Sequence, residues 1–146
     1  MIFHTKTPEQ TIELGKKIGK LLKPGDVIAM KGTLAAGKTT ITKGIAISLG
    51  IDDEITSPTF CLISEYSGKK LDLYHMDVYR LEGAEDFENL GTDEMLYGNG
   101  VSIIEWSEKI SSVLPKKSIT IELIPHENGE RDIIIENWPH EEIDFS

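Results

Sequence analysis

Thiols are almost missing from this sequence. Cys61 is the single cysteine among 146 residues, so no internal disulfide can staple the chain, which fits a reducing compartment. Long hydrophobic runs are missing too: no apolar stretch approaches the roughly 18 residues that a membrane span needs. The opening MIFHTKTPEQ lacks the basic-then-apolar layout of a signal peptide, so a cytoplasmic location is expected. Positive charge is scarce and unevenly placed. The net charge is −10, yet residues 1–50 hold 8 Lys/Arg against 3 Asp/Glu, while residues 126–146 hold 1 against 7. Because phosphate neutralisation dominates nucleic-acid affinity, such a chain is poorly suited to grip a polyanion alone. Basic and aromatic residues are not interleaved as a single-strand binder requires.

What is present describes an ordinary globular chain, 39% hydrophobic and 27% charged, with no repeat or low-complexity segment. A single domain is expected over residues 1–138, with a short acidic tail over 139–146. TPEQTIELGKKIGKLL (7–22) carries Ile12, Gly15, Ile18, Leu21 and Leu22 at helical spacing, with Thr7 as cap and Pro8 in the first turn. DVIAMKG (26–32) reads as a short buried strand, and KTTITKGIAISLG (38–50) as a helix stopped by Gly50. FCLISEYS and KLDLYHMDVY flank Gly68 as an antiparallel hairpin. Residues 84–91 read as helix, VSIIEW (101–106) as a buried strand and 107–112 as helix. SITIELIP and RDIIIENW surround HENGE as a second hairpin. A strand–helix core with hairpins attached predicts a three-layer α/β domain on a mixed sheet.

The segment KGTLAAGKTTI carries the clearest chemistry. Gly32, Gly37, Lys38 and Thr39 satisfy G-x-x-x-x-G-K-[ST], with a predicted strand before and a predicted helix after. Glycines let the backbone wrap a phosphate with its N–H groups, and the helix start turns its positive dipole end to the anion. Lys38 can reach the outer phosphates, and the Thr39 hydroxyl can ligate magnesium.

Phosphate chemistry also needs a carboxylate near the metal and a group that places water. Glu105 ends the strand VSIIE, where an acid at the carboxyl end of a buried strand faces a phosphate site. Asp77 ends another strand, with His75 on the same face at spacing two. Either acid could instead cap the following turn, and His75 reads as structural rather than catalytic. The loop TSPTF (56–60) offers three hydroxyls that could order around a terminal phosphate, or could be a plain turn. Trp106 reads as core or partial cover.

Taken in order, GTLAAGKTT, TSPTF, EY, YHMDVYRL and IIEW, behind a T-x-E-x-T-like helix start, resemble the TsaE family over about residues 4 to 136. These are bacterial ATPases required for threonylcarbamoyladenosine modification of tRNA. The resemblance implies a P-loop NTPase-like three-layer sandwich with a mixed, mostly parallel sheet and antiparallel hairpins. It implies ATP and Mg2+ as cofactors and a TsaB–TsaD partner complex, with tRNA met indirectly through those partners while TsaC-type enzymes make the threonylcarbamoyl-adenylate. By motif, Gly32, Thr33, Leu34, Ala35, Ala36, Gly37, Lys38, Thr39 and Thr40 would hold phosphates, and Thr39 with Glu105 would hold magnesium. Asp77 matches the essential acid of H-x-D-x-Y-R, which makes Asp77 and Glu105 the implied catalytic pair. Thr7, Thr11 and Arg131 match positions near the nucleotide base.

Two residues depart from the family's usual G-D-L-G-A-G-K-T-T: Thr33 stands for the aspartate and Ala35 for the middle glycine. If position 35 needs a positive φ, its Cβ costs about 1 kcal/mol or more. Two other readings share the loop. One is a small-molecule P-loop kinase, which usually brings several arginines to the transferred phosphate, whereas this chain has only Arg80 and Arg131. The other is a nucleotide-switched interaction module with negligible turnover. Self-association and the partner-binding surface are not legible in the sequence.

Overall fold

The chain enters as a strand that its own periodicity does not announce. Four residues, Ile2–Thr5 (β1), owe their ladder to a segment far along the chain, Arg131–Glu136 (β7), paired antiparallel from Ile2↔Ile134 to Thr5↔Arg131. The structure, a computed structural model, describes residues 1–32, 37–55, 63–78, 81, 84–89, 96, 98–105 and 107–145. Thr33, Leu34, Ala35, Ala36, the TSPTF segment, Cys61, Arg80 and Trp106 lie outside the described residues.

Helix α1, Pro8–Leu21, starts as its sequence dictates. Thr7 is extended (φ −137°, ψ 158°), its hydroxyl accepts from the Gln10 N–H at 3.2 Å, and Pro8 sits in the first turn. Then come β2 (Val27–Lys31), α2 (Lys38–Ser48), the hairpin strands β3 (Ile63–Tyr66) and β4 (Leu73–Asp77), and a short α3 (Ala84–Glu88). Strand β5 (Val101–Glu105) precedes a 3₁₀ segment over Ser107–Val113, and β6 (Ile119–Pro125) pairs with β7. The helix expected over 107–112 is thus wound as 3₁₀, and Ile110 leaves helical geometry at φ −128°.

The seven strands lie in the order β1-β7-β6-β2-β5-β4-β3. Strands β6, β2, β5 and β4 are parallel neighbours, while β3 and the β7–β1 pair run antiparallel at the two edges. Both hairpins read from the sequence are present as β3–β4 and β6–β7. The central strands are buried on both faces, which is why VIAM and VSII are continuous apolar runs or nearly so. One face packs Ile28, Met30, Ile103 and Ile121 under α1 and α2; the other packs Val27, Met76 and Ile104 under Phe87 and Ile110. Three layers result.

Helices α1 and α2 meet through glycine. A Cβ on Gly15 would lie 2.4 Å from the Ile41 carbonyl oxygen, and one on Gly44 would lie 2.2 Å from that of Ile12. The backbones approach too closely for any side chain, and Ser48 closes the crossing by donating to the Lys16 carbonyl at 2.6 Å. The acidic C-terminal residues also pack on the domain: Ile143 is buried in the core and Phe145 meets Phe3 edge-on. No helix among the described residues is long and apolar enough to cross a membrane.

Candidate functional site

The parallel register collects the sequence candidates at one end of the sheet. Met30 pairs with Glu105, and Glu105 pairs with Asp77, so the carboxyl ends of β2, β5 and β4 form one row. Alternation along the strands puts Glu105 and Asp77 on the face of Ile103, Leu73 and Met30, the side covered by α1 and α2. Ligands of open α/β sheets bind at these carboxyl ends.

Just past β2, Gly32 has φ 141° and Gly37 has φ 96°, and Gly37 caps α2 from a left-handed backbone that favours glycine. Gly37 offers α2 no side-chain cap, and no acid sits in the first turn. Thr39 and Thr40 fall in that first turn, both half-buried. Lys38 is only 4% exposed, and its Nζ donates to the Gly32 carbonyl at 3.0 Å. The ammonium therefore closes the base of the loop across six residues. This burial was not expected for a lysine free to meet a ligand. Thr42 Oγ1 donates to the Lys38 carbonyl at 2.8 Å and Ser107 Oγ to the Met30 carbonyl at 3.2 Å, tying the loop base to α2 and to the segment after β5.

Glu105 is buried, and its Oε2 lies 2.7 Å from His75 Nε2. A carboxylate can only accept, so the ring proton on Nε2 is donated to it. His75 is fully buried, and its Nδ1 has no hydrogen-bond partner among the described residues. The sequence expectation that His75 is structural is thus refined. Its ring fixes one oxygen of an acid at the head of the site.

On the same face, towards the other edge of the sheet, the Arg131 guanidinium lies against Gly37. A Cβ on Gly37 would sit 2.6 Å from Arg131 Nε. Arg131 pairs with Thr5 across β1–β7, and the buried Thr5 hydroxyl is 2.8 Å from that of Thr11. Thr11 Oγ1 donates to the Thr7 carbonyl at 3.3 Å, which makes Thr5 the donor to Thr11. Thr7, Thr11 and Arg131 are thereby linked along one edge that runs to Gly37. Thr5 escaped the sequence reading because nothing local marks a lone threonine before a cap.

These donors fit an anion with a divalent cation. The start of α2 has glycine as its cap residue and no acid in its first turn, a helix end whose dipole favours a phosphate. The Thr39 hydroxyl and the Glu105 carboxylate are oxygen donors of the kind that could hold magnesium.

Comparison with known proteins gives the family. The family described as "Threonylcarbamoyl adenosine biosynthesis protein TsaE" matches residues 5–133. A relative from Treponema pallidum, named tRNA threonylcarbamoyladenosine biosynthesis protein TsaE, is 47% identical over 131 residues, covering 90% of this chain and 96% of its own length. Its namesake from Bacillus subtilis is 44% identical, covering 90% of this chain and 82% of its own. The crystal structure of Bacillus subtilis YdiB superposes with a TM-score of 0.76 at 40% identity, covering 91% of this chain and 82% of that one. The chain belongs to the TsaE family.

Proposed function

We propose that this chain is a magnesium-dependent ATPase that serves threonylcarbamoyl modification of adenosine in tRNA, through a TsaB–TsaD-like partner complex. The pathway reading follows the names of its relatives. The ATPase reading rests chiefly on one observation: the Gly32–Lys38 loop base at the head of β2 shares a row with Glu105 and Asp77 on β5 and β4. Lys38 and the α2 N-terminus hold the phosphates, while Thr39 and Glu105 hold magnesium. Bound magnesium neutralises charge that develops on the phosphate oxygens. His75 keeps Glu105 oriented, and Asp77, one strand further, orients water or couples the site to a partner. Arg131, Thr7 and Thr11 border the nucleotide base. The net charge of −10 leaves the tRNA contact to the partners.

Calorimetry with ATP, with and without magnesium, tests the site. Phosphate release measured with and without TsaB and TsaD tests the coupling. Tight magnesium-dependent binding with partner-stimulated turnover is expected. Binding without turnover under all conditions would leave a nucleotide switch, and release of ADP only with a small-molecule acceptor would indicate a kinase.

A further inference from the structure

The outer face of the β1–β7–β6 edge carries a cluster that the proposed nucleotide site does not use. His4 lies directly opposite Asp132 in the β1–β7 ladder, and Ile124 of β6 faces Asp132 from the other side. Two residues beyond Ile124, His126 opens the turn, its N–H donating to the Glu130 carbonyl at 2.8 Å. Period-two alternation puts His4, His126, Glu130 and Asp132 on one face, opposite to Arg131. His4 Nδ1 is 2.8 Å from Asp132 Oδ1, and His126 Nε2 is 2.9 Å from Asp132 Oδ2.

We propose that His4 Nδ1, His126 Nε2 and the Asp132 carboxylate form a binding site for a divalent transition-metal ion such as zinc. The three ligand atoms lie within 4.8 Å of one another. Around a tetrahedral ion with bonds near 2.0–2.1 Å, neighbouring ligand atoms stand about 3.3 Å apart. To admit it, the two contacts to Asp132 open by about half an ångström, the two imidazole nitrogens, within 4.8 Å of each other, close by up to about 1.5 Å, and water completes the fourth position. A second observation points the same way. The other ring nitrogen of His4, Nε2, meets Glu130 Oε1 at 3.0 Å. A carboxylate behind a ligating imidazole is the arrangement that fixes its tautomer and aims its free nitrogen at a metal.

The turn HENGE serves this geometry. Glu130 N–H donates to Asn128 Oδ1 at 3.0 Å, Asn128 Nδ2 bonds the Glu130 carboxylate, and Gly129 holds φ 86°. Two imidazoles with a carboxylate suit zinc, copper(II) or nickel(II) over magnesium, which keeps to oxygen, so this ion is chemically distinct from one held with nucleotide. The imidazoles are 43–45% exposed, open to an ion from solution. An ion here clamps β1, β7 and the β6–β7 turn. It sits on the reverse of the strand whose Arg131 touches Gly37.

The test uses the full, tag-free chain after chelator treatment, titrated with zinc chloride by calorimetry without nucleotide. One bound ion per chain is expected. His126→Ala and Asp132→Asn should each weaken binding at least tenfold, and Glu130→Gln by about 10–100-fold. Cys61→Ser should bind as the parent does. A single cooperative thermal melt in chelator, whatever its midpoint, establishes that each variant is folded. The proposal is overturned if the parent binds no zinc, if the His4→Ala/His126→Ala double variant binds as tightly as the parent, or if Cys61→Ser abolishes binding.

Discussion

His75 on β4 donates from Nε2 to Glu105 at the head of β5, 2.7 Å away, with both side chains buried. Removing one partner from such a pair strands the other, at a cost of about 1–3 kcal/mol. Glu105 is therefore both a candidate metal ligand and a packing element, and its substitutions must be read with a stability control.

Glu105→Gln keeps the shape and an acceptor for His75 but removes the charge. It should weaken ATP binding in the presence of magnesium, leave binding in chelator unchanged, and slow turnover. Asp77→Asn, one strand away, should slow turnover while magnesium-dependent affinity stays near the parent's. An interaction made only in the transition state costs rate alone. Equal losses of ATP affinity in the two variants, measured by calorimetry, would move Asp77 into the metal site.

Lys38→Ala removes both the proposed phosphate contact and the clip to the Gly32 carbonyl. ATP affinity should fall at least tenfold, which corresponds to about 1.4 kcal/mol. Because Lys38 is 4% exposed, a modest drop in melting temperature should accompany the loss. Unchanged affinity would remove the loop from the nucleotide site altogether.

The α1–α2 crossing makes a prediction that owes nothing to ligands. Ala in place of glycine usually gains about 1 kcal/mol within a helix. At Gly44 the new Cβ would stand 2.2 Å from a backbone carbonyl, and overpacking costs about 1–3 kcal/mol. The clash should win, lowering the melting temperature by several degrees. The exposed Lys43→Ala, one residue away, should leave it nearly unchanged.

At the β1–β7 edge, hydrogen bonds to Asp132 and Glu130 raise the His4 pKa above its ordinary 6.5. The bond to His4 lowers Glu130 below 4.5, and bonds to His4 and His126 lower Asp132 below 3.8. The histidine contribution is complete below 6.5 and fades as pH rises through the raised value. The carboxylate contribution is complete above 4.5 and fades as pH falls through the lowered ones. With chelator present, the stability difference between parent and His4→Ala should peak between these limits, shrink towards alkaline and strongly acid pH, and weaken with salt. A difference flat from pH 5 to 9 would show that the pairs contribute nothing.

The sequence determined the elements whose signals are local. Thr7-Pro8 started α1, the period in 7–22 carried it, and continuous apolar runs gave β2 and β5. The glycine–lysine spacing placed a phosphate-type loop between a strand and a helix. Proximity across the chain was decided by tertiary structure alone. Strand β1 is four residues with no period of its own, fixed by pairing with residues 131–134. The burial of Lys38, the pairing of His75 with Glu105 and the approach of Arg131 to Gly37 depend on the order in which strands neighbour one another. The same holds for His4 meeting residues 126–132, since a ladder's register is set by partners that local spacing does not encode.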